Sequence, residues 1–472
     1  MTLNGYRGEA LELLRKYQIE IGDHVCVETT QGSNYCGIII PRYENATPDR
    51  IVVKLENGYN TGVSTQKIKN IIKIDNTART AGPSFDVPNM SHGMDTIIDD
   101  KIDALIPIES DNLEQLPGAE DLPNLSLIST GGTISSKIDY RTGGVRPALT
   151  ARDLYDSVPE LRKYASIEPH ELFTEYSENI TPEHWTTIAK TVEAKIRANK
   201  YRGIIIAHGT DTMHYTAAAL SFALRNLPIP IVLVGAQRSS DRPSSDAALN
   251  LLGASILATK LEVVGVFVAM HNTISDDVIS CHVGTRVRKN HTSRRDAFES
   301  IDLDPVAFVK GEELEFSRKN SDIVLTKRTE EIQDMKMKTN FDSNVALLKF
   351  YPGFDPGLID YCVQFGNKII ILEGTGLGHV SKKCIPSLKS AISRDVIVFM
   401  TSQCIWGRTN LNVYETGRDL LSVGVIPLRN MLTETATVKA MWTLANFKDS
   451  QKIKEIMAEN IANEITPRRT IR

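Results

Sequence analysis

The sequence predicts an α/β protein, with a small N-terminal β-barrel followed by a body of two α/β domains with mostly parallel sheets. Three observations lead to this fold class. The chain has 472 residues, which is too many for one hydrophobic core and favours two or three domains. Between about residues 19 and 74, short strand-like runs alternate with turn residues. From residue 122 onward, continuous apolar runs alternate with amphipathic stretches, as in a parallel sheet covered by helices.

We assign residues 1–85 to the N-terminal module. Its strand-like runs are His24–Glu28, Tyr35–Ile40, Arg50–Leu55 and Ile68–Ile74. The dipeptides Gly22-Asp23 and Asn57-Gly58 predict hairpin turns. Small barrels often bind nucleic acid, but this module carries ten Lys and Arg against nine Asp and Glu. A module for protein contact or packing is therefore at least as good an interpretation.

A polar linker is predicted over residues 86–121, with one short helix near Met94–Leu105. The first α/β domain follows over residues 122–325. Its apolar runs are Leu125–Ile128, Gly203–Ala207, Ile231–Val234 and Val263–Met270. Between the first two runs, Thr181 can cap a helix that begins at Pro182. Apolar residues recur there at helical spacing, namely Trp185, Ile188, Ala189, Val192 and Ile196.

The second, smaller α/β domain is predicted over residues 326–472. A charged, apolar-poor segment from Glu312 to Asn344 marks the boundary region. Strand-like runs follow at Val345–Phe350, Lys368–Leu372 and Val396–Met400, with helical stretches between them.

Composition excludes several classes of protein. The net charge of −4 gives no support for an extended nucleic-acid footprint, and Arg468, Arg469 and Arg472 are best interpreted as a solvated tail. None of the six cysteines forms a CxxC pair, so a metal site of that spacing is absent and a secreted disulfide framework is not expected. No signal peptide and no membrane-spanning run is visible. We therefore expect a reduced, soluble, cytoplasmic protein without membrane contact.

Two threonine–glycine turns carry the chemical signal. Thr130-Gly131-Gly132-Thr133-Ile134 and His208-Gly209-Thr210-Asp211-Thr212 each follow a predicted buried strand. In open α/β sheets, sites assemble at the carboxyl ends of the strands. A threonine hydroxyl can act as a nucleophile only with a base and an oxyanion hole. The second turn and Lys289, in the run Arg288-Lys289-Asn290-His291, can supply these groups, so we predict a threonine-based hydrolase.

Each of these residues also has a plainer interpretation. The two glycines before Thr133 can form a tight turn that Thr133 merely caps. Asp211 can be a solvated or capping carboxylate, and Lys289 can belong to a solvated basic face. His208 is better explained as a structural residue than as a metal ligand. The occurrence of both turns on one chain favours the catalytic interpretation.

Nucleotide binding is not supported by the glycine pattern. Gly374-Thr375-Gly376-Leu377-Gly378 follows a strand-like run, but its spacing is not G-x-G-x-x-G. No P-loop motif occurs in the sequence. We therefore expect no cofactor and no ATP site in this chain.

Residues 122–450, with the two turns and the lysine run, resemble the bacterial-type L-asparaginases. The resemblance implies an asparaginase-like body in which Thr133 is the nucleophile, while Thr210, Asp211 and Lys289 assist proton transfer. It assigns substrate binding to Gly132, Gly209, Ser177 and Glu178. The family's mobile lid would fall near Lys137–Arg146, with Tyr140 as its tyrosine. Periplasmic members carry glutamine where this chain has Glu178.

With the β module in front, essentially the whole chain resembles the D subunits of archaeal glutamyl-tRNA(Gln) amidotransferases. The module contains Gly58-Tyr59-Asn60-Thr61-Gly62. The resemblance implies a glutaminase that releases ammonia from glutamine or asparagine. It also implies a homodimer core and a partner, the E subunit of the amidotransferase, which uses ATP and Mg to amidate Glu-tRNA(Gln). The alternatives are a stand-alone cytoplasmic L-asparaginase and a non-catalytic binding module.

Overall fold

The structure is a computed structural model. It describes residues 6–30, 32–40, 42, 47–55, 60–74, 122–138, 145–147, 150–240, 245–317, 323, 325–329 and 335–467. These residues fall into two compact units, 6–74 and 122–467, which we describe separately. Several predicted features lie outside the described residues: Asn57-Gly58, the helix near Met94–Leu105, Tyr140 and the three C-terminal arginines. Within the described part of the chain, no helix is long and apolar enough to cross a membrane.

The N-terminal unit is an antiparallel sheet of five strands preceded by one helix. Its elements are α1 (Gly8–Lys16), β1 (His24–Thr29), β2 (Asn34–Ile39), β3 (Arg50–Leu55), β4 (Asn60–Ser64) and β5 (Ile68–Lys73). The strand order is β4-β3-β2-β1-β5. Alternate strand residues enter one core, as in Val25 and Val27 of β1, and α1 adds Ala10 and Leu14.

Two elements of this unit were not predicted. Helix α1 was missed because nine residues show little more than two helical turns. Strand β4 was missed because its first residues are turn formers.

Two expectations about this unit are wrong. Gly22-Asp23 does not join two strands. It lies between α1 and β1, and the Gly22 amide donates to the Ile39 carbonyl oxygen at 2.8 Å. The chain is also not fully reduced, because Cys26 and Cys36 form a disulfide. They lie opposite each other in the β1–β2 register, a proximity that a test for CxxC spacing cannot detect.

The body begins with a sheet of eight strands. The strands are β6 (Asn124–Gly131), β9 (Ser166–Glu175), β10 (Gly203–Ala207), β12 (Ile231–Val234), β14 (Val266–His271), β15 (Val278–Val283), β18 (Ala307–Lys310) and β19 (Glu313–Phe316). Their order across the sheet is β19-β18-β15-β14-β12-β10-β6-β9. The strands β9, β6, β10, β12 and β14 are parallel, and the remaining three are antiparallel.

Short two-stranded ribbons surround this sheet. Their strands are β7 (Ser136–Ile138) with β8 (Val145–Pro147), β11 (Leu224–Arg225) with β21 (Lys336–Met337), β13 (Val263–Val264) with β20 (Thr326–Lys327), and β16 (Val287–Lys289) with β17 (Phe298–Ser300). The charged segment after Glu312 therefore returns to pair with strands of the first domain through β20 and β21.

Four helices cover the two faces of the large sheet: α2 (Ala151–Asp156), α3 (Pro182–Arg197), α4 (Met213–Ala223) and α5 (Ala247–Lys260). Alternate residues of β10 enter opposite cores. Ile205 packs with α2 and α5, whereas Ile204 and Ile206 pack with α3 and α4. Helix α3 begins at Pro182 with Thr181 as its cap, as predicted, and its five predicted apolar residues are all buried.

The C-terminal part of the body is a parallel sheet of four strands with helices on both faces. The elements are β22 (Val345–Lys349), α6 (Gly357–Phe365), β23 (Ile369–Gly374), α7 (Ile385–Ser393), β24 (Ile397–Ser402), α8 (Glu415–Val423), β25 (Ile426–Pro427), α9 (Thr433–Asn446) and α10 (Ser450–Ala458). The strand order is β22-β23-β24-β25. The predicted fold class, a β-rich N-terminal region followed by α/β sheets that are largely parallel, is confirmed.

Candidate functional site

The two threonine–glycine turns meet at the carboxyl edge of the large sheet. The first begins with the last two residues of β6 and the second follows β10, and these two strands are parallel neighbours with Ser129 opposite Ala207. The Thr130 hydroxyl donates to the Ala207 carbonyl oxygen at 2.9 Å and ties the two strand ends together. The sheet register therefore brings together two motifs that lie far apart in the sequence.

Glycine is required where the turns touch. Gly132 has φ +82, and a Cβ on it would lie 2.2 Å from the backbone nitrogen of Gly209. A Cβ on Gly209 would in turn lie 2.7 Å from the Cβ of Ser177. Any side chain at either position would displace its neighbour. Three segments, after β6, β9 and β10, thus converge within van der Waals distance.

Thr133 begins a 3-10 turn, Thr133–Ser135, and is half-buried. The turn is closed by the Ser135 amide, which donates to the Gly132 carbonyl oxygen at 3.1 Å. The Ser136 hydroxyl donates to the same oxygen at 2.5 Å. The Gly132 amide donates to the Glu175 carbonyl oxygen at 3.1 Å. The backbone that carries Thr133 is therefore held on both sides.

Lys289 reaches the second turn. Its Nζ donates to Thr210 Oγ1 at 2.8 Å and to Asp211 Oδ1 at 2.6 Å. The Lys289 side chain is only 8% exposed, whereas that of Asp211 is 67% exposed. Thr210 Oγ1 and Lys289 Nζ thus lie within hydrogen-bond distance, over which a hydroxyl and an amine can exchange a proton. This arrangement can move protons next to the Gly132–Gly209 contact.

Strand β16 explains why the Lys289 side chain points away from that of its basic neighbour Arg288. Lys289 lies opposite Phe298 in the β16–β17 ribbon. Successive strand residues point to opposite sides, and the preceding Arg288 donates through Nε to Glu434 Oε1 at 2.7 Å. The alternative interpretation of this run as a solvated face is therefore wrong for Lys289.

Ser177 and Glu178 lie on a 3-10 turn, Ser177–Asn179, that follows β9. Ser177 is buried, and its carbonyl oxygen accepts from the Thr212 hydroxyl at 2.6 Å. Glu178 is exposed on the same turn. The structure thus brings Ser177 to the second motif and leaves the Glu178 side chain facing solvent. The lid tyrosine, Tyr140, lies outside the described residues.

His208 has a structural environment. Its Nδ1 lies 2.7 Å from the Gly209 carbonyl oxygen, and its Nε2 lies 2.9 Å from Thr216 Oγ1. Burial lowers the pKa of His208 to about 4. The ring is therefore neutral at neutral pH, with Nδ1–H donating to the carbonyl and Nε2 accepting from Thr216. Trp185 Nε1 donates to the same Thr216 oxygen at 3.0 Å.

Two residues that position the site were missed by the sequence analysis. The buried Asp246 carboxylate accepts from the backbone amides of Gln237 and Arg238, each at 3.0 Å. Asn250 donates to the Gly235 carbonyl oxygen at 3.0 Å. A Cβ on Gly235 would lie 2.8 Å from Thr210 Cγ2, so this loop forms a wall of the site. The sequence did contain a signal for these two residues. An Asp and an Asn lie four residues apart, at the start of the helix that follows β12.

No group of three or more His, Cys, Asp or Glu side chains is placed to hold a metal ion among the residues that the structure describes. The chemistry that the site offers consists of hydroxyls, one largely buried lysine side chain, the exposed carboxylates of Asp211 and Glu178, and backbone amides.

Three family models match the chain. The model described as "GatD N-terminal domain" matches residues 19–74. The model described as "Asparaginase, N-terminal" matches residues 124–322, and "Glutaminase/Asparaginase C-terminal domain" matches residues 344–457. Together they account for the β module and for both halves of the body.

Solved structures resemble the body of the chain. The thermostable L-asparaginase from Thermococcus kodakarensis is 34% identical, with a TM-score of 0.65 over 73% of this chain and 100% of its own. L-asparaginase I from Vibrio cholerae is 28% identical, with a TM-score of 0.63 over 73% of this chain and 99% of its own.

Curated relatives match nearly the whole chain. The D subunit of the glutamyl-tRNA(Gln) amidotransferase of Pyrococcus abyssi is 45% identical over 460 residues, which are 97% of this chain and 97% of that protein. The protein of the same name from Methanopyrus kandleri is 43% identical over 470 residues, 98% of this chain and 95% of that protein. These comparisons confirm the predicted resemblance, and the chain belongs to the family of glutamyl-tRNA(Gln) amidotransferase D subunits.

Proposed function

We propose that this chain is the glutaminase subunit of a tRNA-dependent amidotransferase and releases ammonia from glutamine. The observation that carries the proposal is the contact of Lys289 Nζ with both Thr210 and Asp211. This contact lies on a turn that touches Gly132, the residue before Thr133. The names and coverage of the curated relatives support the same function.

The proposed reaction is nucleophilic acyl transfer. Thr133 Oγ1 attacks the carboxamide carbon, an ester forms, and the C–N bond breaks. The proton lost by the Thr133 hydroxyl passes through Thr210 and Lys289 to the departing amine, which leaves as ammonia. Water then hydrolyses the ester to glutamate and restores the Thr133 hydroxyl. The backbone amide of Thr210 is our candidate for stabilising the oxyanion.

The α-amino and α-carboxyl groups of the substrate carry opposite charges and need different partners. The exposed Asp211 carboxylate can bind an α-ammonium group, while the Ser177 hydroxyl, with Glu178 beside it, completes the proposed contacts to the α-amino and α-carboxyl groups. Glutamine and asparagine differ by one methylene, which a pocket distinguishes by about 1–3 kcal/mol. Asparagine is therefore a second donor in the proposal.

The ammonia is proposed to serve a partner, the E subunit of the amidotransferase, which holds ATP and Mg and amidates Glu-tRNA(Gln). The complex would contain a homodimer of this chain. The support is the name shared by relatives that cover 97% or 98% of the chain and the family model for residues 19–74, which lie outside the body shared with asparaginases.

The test is ammonia release by the purified chain, alone and with the E subunit and glutamylated tRNA(Gln). The proposal expects hydrolysis of glutamine to rise when the partner and charged tRNA are present. Robust hydrolysis of asparagine by the chain alone, unchanged by the partner and tRNA, would instead support a stand-alone asparaginase. A complete lack of amidase activity in the full complex would exclude both.

A further inference from the structure

The C-terminal segment of the chain holds the residues that precede Lys289. Thr285 and Arg286 lead directly into β16. The Thr285 hydroxyl donates to the Ala462 carbonyl oxygen at 2.8 Å. Arg286 NH1 donates to the Glu464 carbonyl oxygen at 3.1 Å. The strand that carries Lys289 is thus attached to a turn more than 170 residues further along the chain.

That turn, residues 459–464, is built around a buried ion pair. The Lys439 and Glu464 side chains are in contact, and both are fully buried. The Glu464 carboxylate also accepts from the backbone amides of Ile461 at 3.1 Å and Ala462 at 2.7 Å. Lys439 Nζ donates to the Glu459 carbonyl oxygen at 2.5 Å. The ion pair therefore orders the same backbone whose carbonyl groups hold Thr285 and Arg286.

Arg286 is anchored on a second side. Its side chain is fully buried, NH2 lies 3.3 Å from Asp302 Oδ2, and NH1 donates to the Asn430 carbonyl oxygen at 2.7 Å. Burial lowers the pKa of Arg286 to about 10, so the guanidinium is charged at neutral pH. Separating a buried charge from its partners is strongly destabilising. The backbone at Arg286 therefore has little freedom to shift.

Helix α9 adds two further attachments. The Thr435 hydroxyl donates to the Thr285 carbonyl oxygen at 2.9 Å. Glu434 binds Arg288, the residue next to Lys289, at 2.7 Å. Three of the four residues before Lys289 are thus bound by the C-terminal part of the body.

We propose that Thr285, Arg286 and the turn 459–464 are positioning elements that set Lys289 Nζ against Thr210 and Asp211. The proposal rests on the proton-transfer role proposed above for Lys289. Both Nζ contacts are short, 2.8 and 2.6 Å, and misplacement of a catalytic group by about 1 Å can lower a rate on the order of 100-fold. None of the positioning elements needs to touch substrate for this effect.

The test uses Thr285→Val, which removes one hydroxyl and keeps the shape of the side chain. Arg286→Lys is the second variant, because lysine keeps the charge but loses the planar fork. Glu464→Gln is less suitable, since it would leave Lys439 charged and buried without its partner. The matched control is Thr443→Val, a fully buried threonine that also donates to a backbone carbonyl, at 3.0 Å, but within α9.

Glutamine hydrolysis is measured on the complex with the E subunit and charged tRNA. We expect Thr285→Val and Arg286→Lys to lower kcat about tenfold, because the contact of Lys289 with Thr210 acts on proton transfer, and to raise KM by a smaller factor through the contact of Lys289 with Asp211. Thr443→Val should keep both constants. A second readout is acylation of Lys289 by acetic anhydride, located by peptide mass mapping. The rate of Lys289 acylation should rise severalfold in both variants, because the Lys289 side chain becomes less buried.

The variant Lys289→Ala distinguishes a failure of this positioning inference from a failure of the proposed role of Lys289. Full activity of Lys289→Ala would overturn the proposed role of Lys289 itself. If Lys289→Ala is inactive while both positioning variants show wild-type kcat and wild-type acylation of Lys289, this inference alone is overturned. A rise in KM of about tenfold with unchanged kcat and unchanged Lys289 acylation would also overturn it, because the loss would then act on substrate binding alone.

Discussion

Replacing Gly132 with alanine should separate the two threonine-bearing turns. The new Cβ would lie 2.2 Å from Gly209 N and 2.3 Å from Gly209 Cα. Both are backbone atoms, so no change of rotamer relieves the contact. Ordinary contacts begin at 3.4 Å, and the turns must therefore move apart by about 1 Å. A displacement of that size costs on the order of 100-fold in rate.

The assay is the steady-state rate of glutamine hydrolysis by the complex. Gly353→Ala is the matched control, because Gly353 has φ +92 and no atom lies within 4 Å of its added Cβ. It also places an alanine at a positive φ, which L side chains rarely adopt, but without the clash. We expect kcat to fall on the order of 100-fold in Gly132→Ala only, with both variants folded by circular dichroism. A kcat for Gly132→Ala within a few-fold of wild type would refute the interlocked geometry.

Three further predictions address the nucleophile, the buried histidines and the disulfide. Thr133→Ala should lose orders of magnitude in hydrolysis rate, because covalent catalysis is forfeited; near-normal turnover of the folded variant would exclude Thr133 as the nucleophile. Burial lowers the pKa of His208 and His214 from 6.5 to about 4. The unfolded chain therefore binds more protons below pH 6.5, and the free energy of unfolding should fall toward pH 4 by up to about 1.4 kcal/mol per pH unit for each histidine. Urea unfolding at pH 7 and pH 5 measures this loss, and equal stability at both values would contradict it. Reduction of the bond between Cys26 and Cys36, which are 10 residues apart, should destabilise the N-terminal unit by about 3 kcal/mol; an unchanged thermal melt in dithiothreitol would argue against it.

Local patterns predicted the parts of the fold that depend on local chemistry. The runs Gly203–Ala207 and Ile231–Val234 are strands with the predicted bounds, because each is continuously apolar and buried on both faces. The start of α3 followed from Thr181 and Pro182. The meeting of the two turns could also be inferred, since the carboxyl ends of parallel strands share one edge of a sheet.

Long-range pairing explains what the sequence could not reveal. The Cys26–Cys36 disulfide depends on the register of two strands. The support that Asp246 gives to the loop beside Thr210 depends on how α5 packs against the sheet. The attachment of Thr285 to Ala462 spans two halves of the body. The disulfide and the Thr285–Ala462 contact leave no periodic or spaced signal in the sequence, and the only signal for the third contact is the spacing of Asp246 and Asn250.

Contacts made by the fold also show which interpretation of Lys289 and of His208 is correct. Lys289 and Arg288 look alike within the basic run, and only the β16–β17 ribbon shows that they point to different partners. His208 is neutral because burial lowers its pKa, and Thr216 and the Gly209 carbonyl satisfy its two ring nitrogens. Neighbouring residues of the same chemical type thus have different roles, which depend on the contacts made by the fold.

The position of the acyl group is the most direct test of the proposed role of Thr133. Glutamine is mixed with the complex of wild-type chain, E subunit and charged tRNA, the reaction is quenched in acid within one turnover, and the protein is mapped by peptide mass spectrometry. We predict a glutamyl ester on the peptide that contains Thr133 and none on the peptide that contains Thr210. An ester on Thr210, or steady ammonia release with no ester on Thr133, would contradict the mechanism.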